Sequence, residues 1–170
     1  MATVIKSSPS KGDKRGSRGL RNNNPLNIRH SKDKWQGMAL KQTDKSFVQF
    51  DSRLMGYRAA FKILHTYITK GKDTIGKIIA KWAPSSDGNN TQSYINYVSK
   101  STGINASHAL RWEDKDDLVE IVRSMAHMES GIIEDKAVIV EAYALANSLT
   151  NTNLSNLPNF SMHHLFVQFV

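Results

Sequence analysis

The sequence predicts a mainly α-helical domain of the α+β class, with one small β-hairpin beside the helices. Two features indicate this class. Apolar residues recur at three- and four-residue steps in five segments, whereas only residues 37–51 contain short strand-like runs. With 170 residues, of which 39% are hydrophobic, the chain is long enough to bury one core. We therefore expect a single domain over residues 18–149, between a basic leader (1–17) and an Asn-rich tail (150–170).

The domain begins with an irregular segment. In "RGLRNNNPLNIR" (18–29), three consecutive asparagines followed by a proline disfavour a regular helix and predict a structured loop. The hairpin follows over residues 37–51 and turns at Thr43-Asp44-Lys45. Residues 52–69 then show a helical stripe, and either Asp51 or Ser52 can cap the start of this helix.

Four more helices are predicted, over residues 74–82, 91–102, 112–129 and 134–147. Pro84 ends the first of them, Thr91 can cap the second, and acidic residues occupy the first turn of the third. In the last helix the predicted inward residues are Val138, Val140, Ala144 and Leu145. The chain closes on an apolar run, residues 162–170, to which the sequence assigns no role.

The net charge of +8 is concentrated at one end of the chain. Residues 1–36 hold nine Lys and Arg against two Asp, which accounts for +7 of it. Such a segment is either a solvated leader or an arm that contacts an anionic partner. Nucleic acid is the less favoured partner, because no basic-aromatic motif accompanies the charge.

Composition also limits the chemistry. The chain has no cysteine, and its histidines match no metal motif, so we expect neither a metal nor a cofactor. The N-terminal residues lack the apolar core of a signal peptide, and no run approaches the ~20 apolar residues of a membrane span. We expect a protein that is made in the cytoplasm without a signal peptide and has no membrane span.

One carboxylate stands in an unusual place. Glu129 lies at the C-terminal end of the fourth predicted helix, where the helix macrodipole disfavours a negative charge. Desolvation by Met125 and Met128 would raise its pKa further, as a general acid for glycoside hydrolysis requires. The alternative is a solvated glutamate without a role.

Several motifs together resemble bacterial peptidoglycan glucosaminidases and, more loosely, goose-type lysozymes and lytic transglycosylases. "MESG" (128–131) is similar to the sequence at their catalytic glutamate. Their loop, W-x-G and strand motifs resemble "NNPLNIR", "WQG" and "FVQFDS" (23–29, 35–37 and 47–52), and "WAPSSDGNNTQSY" (82–94) looks like a lengthened "YATDPxY" stretch. In those enzymes the glutamate precedes the loop. The resemblance therefore implies a circularly permuted lysozyme-like domain, with the Glu129 helix beside the Asn-rich loop.

Residues 18–131 also resemble a family of short phage and prophage proteins. These begin "RG-[IL]-RNNNPxNIR" and share the W-x-G, "GYRA", "WAP" and terminal E-x-G signatures. Members are often described as virion or structural proteins, so this resemblance implies a context rather than a reaction.

The resemblance implies Glu129 as general acid. A two-acid mechanism would need a second carboxylate, and Asp51 and Asp44, in or beside the predicted hairpin, are the candidates. A mechanism assisted by the substrate's N-acetyl group would need no second acid. The predicted substrate contacts are polar or aromatic: Asn23, Asn24, Asn27, Trp35, Trp82, Tyr94 and Tyr97. Each has a structural alternative, because asparagines can brace their own loop and aromatic rings can belong to the core.

The sequence thus predicts a peptidoglycan glycosidase of the glucosaminidase or muramidase type. It would act on glycan strands in the periplasm or cell wall, delivered by a phage particle, by lysis or by a secretion machine. Secretion would imply a cognate immunity protein. The alternative is a non-enzymatic virion or wall-binding protein.

Overall fold

A computed structural model describes residues 16–148 of the chain. Predictions that concern residues 1–15 and 149–170, which include most of the basic leader and the whole apolar run at the C-terminus, lie outside the described residues.

Within residues 16–148 the chain forms six α-helices and one 3₁₀ turn, Ser85–Asp87, so the mainly helical class is confirmed. The helices are α1 (Arg18–Arg21), α2 (Arg53–Thr69), α3 (Ile75–Trp82), α4 (Thr91–Thr102), α5 (Lys115–Ser130) and α6 (Lys136–Asn147). The five longer helices lie within three residues of their predicted bounds. The short α1 was not predicted.

Side-chain caps fix where two helices begin. Ser52, and not Asp51, caps α2, since its side chain accepts a hydrogen bond from the Met55 N–H. Asn90 caps α4, whereas Thr91 is its first helical residue. None of the helices in residues 16–148 is long and apolar enough to cross a membrane.

The core lies between α2, α5 and α6, with α3 and α4 packed at one side. Helix α5 buries its apolar stripe of Leu118, Ile121, Val122 and Met125. The prediction for α6 was only partly right, because Val138, Val140 and Leu145 are half-buried and the fully buried face of α6 is a different one. Its buried residues are Ile139, Ala142, Tyr143 and Ala146, while Ala144 is exposed. The Tyr143 ring packs edge-to-face on Phe61 of α2, with ring centroids 5.5 Å apart, and this contact favours the face that carries the tyrosine.

The predicted hairpin was also wrong in detail. In the described residues this segment forms two isolated antiparallel bridges, Arg29 to Phe47 and Met38 to Phe50, and no regular strand. Side chains replace the missing ladder. The Gln42 side chain accepts from the Gln49 N–H and donates to the Gln49 carbonyl, both at 2.8 Å.

Candidate functional site

The Asn-rich loop, residues 22–27, lies against the C-terminal end of α5. Gly19 of α1 packs on Ser130 so closely that a Cβ at position 19 would lie 1.9 Å from the Ser130 Oγ. The loop takes positive φ at Asn23 (49°) and Asn27 (50°), a conformation that asparagine tolerates better than most residues. The intervening Leu26 is fully buried and anchors the loop in the core.

Glu129 receives hydrogen bonds from three other elements. Its Oε1 accepts from the Trp82 Nε1–H at the end of α3 and from the Tyr94 hydroxyl of α4, both at 3.2 Å. Its Oε2 accepts from the Asn27 Nδ2 at 3.3 Å, and the same amide donates to the Glu129 carbonyl at 3.1 Å. The structure therefore brings together four residues that the sequence proposed for one site.

The environment of this carboxylate favours its neutral form. Burial raises the pKa of Glu129 to about 7, although the donors of Asn27, Tyr94 and Trp82 act in the opposite direction by stabilising the charge. Part of the residue still reaches the surface. A carboxyl group that titrates near neutral pH can donate a proton and then recover it, which is what a general acid must do.

Trp82 and Tyr94 do not lie where the sequence placed them as sugar contacts. Their exposed fractions are 1% and 2%, so neither ring can stack on a ligand in this structure. Both belong to the core and direct a polar atom at Glu129. The sequence thus assigned Trp82 and Tyr94 to the right site but not to the right role. Their buried positions indicate that they hold the Glu129 carboxylate.

The three asparagines that the sequence proposed as substrate contacts differ in what they bond to. Asn24 is fully buried, and its side chain bonds to the Ile28 N–H, the Ile28 carbonyl and the Val48 carbonyl at 2.8–2.9 Å. It braces the loop and is not available to a substrate. Asn23 donates to the Phe50 carbonyl at 3.0 Å. Of the three, Asn27 contacts Glu129.

The predicted second carboxylates lie apart from these contacts. Both oxygens of Asp44 are occupied by Arg18, Asn22 and two backbone N–H groups, and the Arg18 hydrogen bond holds the pKa of Asp44 far below its usual range. Asp51 is exposed, and its carboxylate bonds to none of residues 16–148. No contact joins Asp51 to Glu129 or its donors in that part of the chain, and its catalytic role stays a prediction.

The remaining two aromatic residues lie in different cavities. Trp35 lines a groove of about 470 Å³, which we call the Trp35 groove; residues 28–35 form one wall, and Ile63, Thr66 and Tyr67 of α2 contribute to the other. Tyr97 lines a separate pocket of about 220 Å³ and hydrogen-bonds to His127. Tyr97 therefore does not join the Glu129 cluster.

Sequence reasoning missed Tyr67, which lines the Trp35 groove and packs edge-on against Trp82 with ring centroids 6.4 Å apart. Its place near the end of the predicted helix, beside the apolar stripe, was the available signal. Among residues 16–148, no three His, Asp or Glu side chains come together as a metal site would require.

Replacing Tyr94 by phenylalanine is expected to raise the pKa of Glu129 above its value of about 7. The change removes one donor to the charged carboxylate, and such a bond contributes roughly 1.5–3 kcal/mol. Carbon-detected NMR titration of the glutamate carboxyls would measure the shift. The control is Tyr143→Phe, whose hydroxyl bonds to the Trp112 carbonyl. An unchanged or lower midpoint in Tyr94→Phe would contradict the assignment.

No family model matches the chain. Among curated proteins it is similar to Protein P5 of Pseudoalteromonas phage PM2, with 40% identity over 119 residues. The match covers 68% of this chain and 72% of that protein.

Proposed function

The chain belongs to the family of Protein P5 of Pseudoalteromonas phage PM2, and from this membership and the Glu129 site we propose that it is a peptidoglycan glycosidase. The observation that carries the proposal is the carboxylate of Glu129, which burial brings to a pKa of about 7 beside the Asn-rich loop. A phage that crosses a bacterial wall has a use for such an activity.

In the proposed reaction Glu129 is the general acid. Oε1 already accepts two hydrogen bonds, whereas Oε2 accepts one long bond from Asn27, so the proton is held on Oε2. Oε2 gives this proton to the glycosidic oxygen as the bond from that oxygen to the anomeric carbon breaks. A hydroxyl group, which belongs either to water or to the sugar itself, then attacks the anomeric carbon. The ionised carboxylate of Glu129 can accept the proton of this attacking hydroxyl group.

The circularly permuted lysozyme-like arrangement is part of the proposal. It is supported by the packing of the Asn-rich loop on the end of α5, because permutation requires these distant segments to meet: Asn27 contacts Glu129, and Gly19 contacts Ser130. Delivery by a phage particle is the simplest route to the substrate for a member of this family.

The test is incubation of purified peptidoglycan with the full-length wild-type protein and, in parallel, with Glu129→Gln. Mass spectrometry of the soluble fragments would identify the sugar at the new reducing end, or an anhydro sugar. We expect fragments from the wild type and almost none from the variant. Equal release by the two would exclude Glu129 as the acid, and no release by the folded wild type would overturn the proposal.

A second candidate is a non-enzymatic virion or wall-binding module. The hydrogen bonds of Glu129 favour this candidate, because its side chain links α3, α4, α5 and the loop. A carboxylate with a purely structural role would form the same links. Tight sedimentation with purified cell wall, without release of fragments by the wild type, would support this candidate.

A further inference from the structure

We propose that the Trp35 groove binds the sugar units on one side of the bond that is cut, with Tyr67 as a hydrogen-bonding contact. This inference rests on the proposed function, because it names where the substrate of the Glu129 site lies. It is carried by the position of the groove beside two donors of Glu129 and by a hydroxyl group that has no partner among the described residues.

Each wall of the groove neighbours a donor of Glu129. On one wall, Ile28 directly follows Asn27, whose amide donates to Glu129. On the other wall, Tyr67 packs edge-on against Trp82, whose indole N–H donates to Glu129 at 3.2 Å. Sugars in the groove would therefore lie beside the residues that hold the proposed acid.

The hydroxyl groups of the α2 wall differ in availability. The Thr66 hydroxyl donates to the Lys62 carbonyl of its own helix at 3.0 Å. The Tyr67 hydroxyl bonds to none of residues 16–148, although its side chain is half-buried and burial raises its pKa. A neutral phenol at the wall of a groove can donate to, or accept from, a sugar hydroxyl or amide.

The rest of the lining combines apolar surface with polar and charged groups. Trp35 and Ile63 supply apolar surface, and the indole nitrogen of Trp35 is buried, so that side chain offers ring carbon to the groove. Polar and charged groups of the same lining belong to Arg29, His30, Ser31 and Asp33. Sugar rings present C–H faces and equatorial polar groups, which match apolar walls with a few polar contacts.

The test uses full-length Glu129→Gln as the parent, which binds without cutting, and the hexamer of N-acetylglucosamine as the probe. Calorimetry would compare the parent with Tyr67→Phe, Trp35→Ala and the control Tyr97→Phe, which alters the separate pocket. We expect a loss of affinity of about three- to tenfold for Tyr67→Phe. A loss of about tenfold is expected for Trp35→Ala, and none for Tyr97→Phe.

The inference would be overturned if Tyr67→Phe and Trp35→Ala both bound the hexamer as tightly as the parent does. It would also be overturned if the parent did not bind the hexamer. Since Trp35 also packs on the core, the isosteric Tyr67→Phe decides if Trp35→Ala does not fold. A failure of the proposed function can be distinguished from a failure of this inference. A wild type that cuts no peptidoglycan, beside hexamer binding that depends on Tyr67, would leave a binding groove without an enzyme. Cutting with unaltered binding in Tyr67→Phe would leave an enzyme whose substrate lies elsewhere.

Discussion

Replacing Glu129 by glutamine is expected to lower the rate of fragment release from peptidoglycan by roughly 10²- to 10⁴-fold, the contribution typical of a positioned general acid. Glutamine has nearly the same shape and keeps an oxygen for the Trp82 and Tyr94 donors, so the site should stay assembled. It cannot give up a proton to the glycosidic oxygen. The loss should therefore appear in kcat, with binding of glycan strands retained.

The same variant makes a second prediction, about stability and pH. Glu129 has a pKa of about 7 in the folded chain against an ordinary 4.5, so between these values the folded state holds a proton that the unfolded state has lost. The folded wild type therefore loses stability as the pH rises from 4.5 to 7, by on the order of 3 kcal/mol. Glutamine does not titrate, so Glu129→Gln should gain stability relative to the wild type over this pH range.

Urea unfolding at pH 5 and pH 8 would measure this difference. We expect the unfolding free energy of Glu129→Gln, relative to the wild type, to increase between the two pH values. Asp51→Asn is a suitable control because the Asp51 carboxylate is exposed and bonds to none of residues 16–148. A relative stability of Glu129→Gln that did not depend on pH would show that the carboxylate is not held neutral by its surroundings.

The helices and the members of the Glu129 cluster could be predicted from the sequence because both depend on local signals. The apolar steps of α2 and α5 have the helical period, and Asn27, Trp82 and Tyr94 stand in motifs that resemble those of known families. Their roles could not be predicted in the same way. Whether an aromatic ring faces a ligand or the core depends on which helices pack over it, and Trp82 and Tyr94 are covered.

The failures have a common cause in long-range packing. The face of α6 is chosen by the contact of Tyr143 with Phe61, about eighty residues earlier in the chain. The hairpin is replaced by bonds from Gln42 and Gln49 side chains, which no alternation of apolar residues reveals. Tyr67 lines a groove that the loop and α2 form together, so its place there could not be predicted from the pattern of its own helix.

The Asn24→Ala substitution is expected to destabilise the fold by about 3 kcal/mol, because an unsatisfied buried polar group costs roughly 1–3 kcal/mol. Alanine would leave the Ile28 N–H and the Val48 carbonyl without their partner, whereas the Ile28 carbonyl would keep its hydrogen bond from the Val48 N–H at 2.9 Å. Both unpaired groups lie where Asn24 is fully buried, so water cannot replace the amide without opening the loop. Urea unfolding at pH 7 would measure the change.

The matched control is Asn96→Ala on α4. The Asn96 side chain accepts one exposed hydrogen bond from Gln92, so this substitution should change the free energy of unfolding by no more than about 0.5 kcal/mol. An equally small effect of Asn24→Ala would show that other contacts hold the loop. The larger loss has a functional consequence, because the loop that Asn24 braces carries Asn27 to Glu129. Asn24→Ala should therefore lower fragment release even at temperatures where the variant remains folded, although Asn24 itself never reaches the substrate.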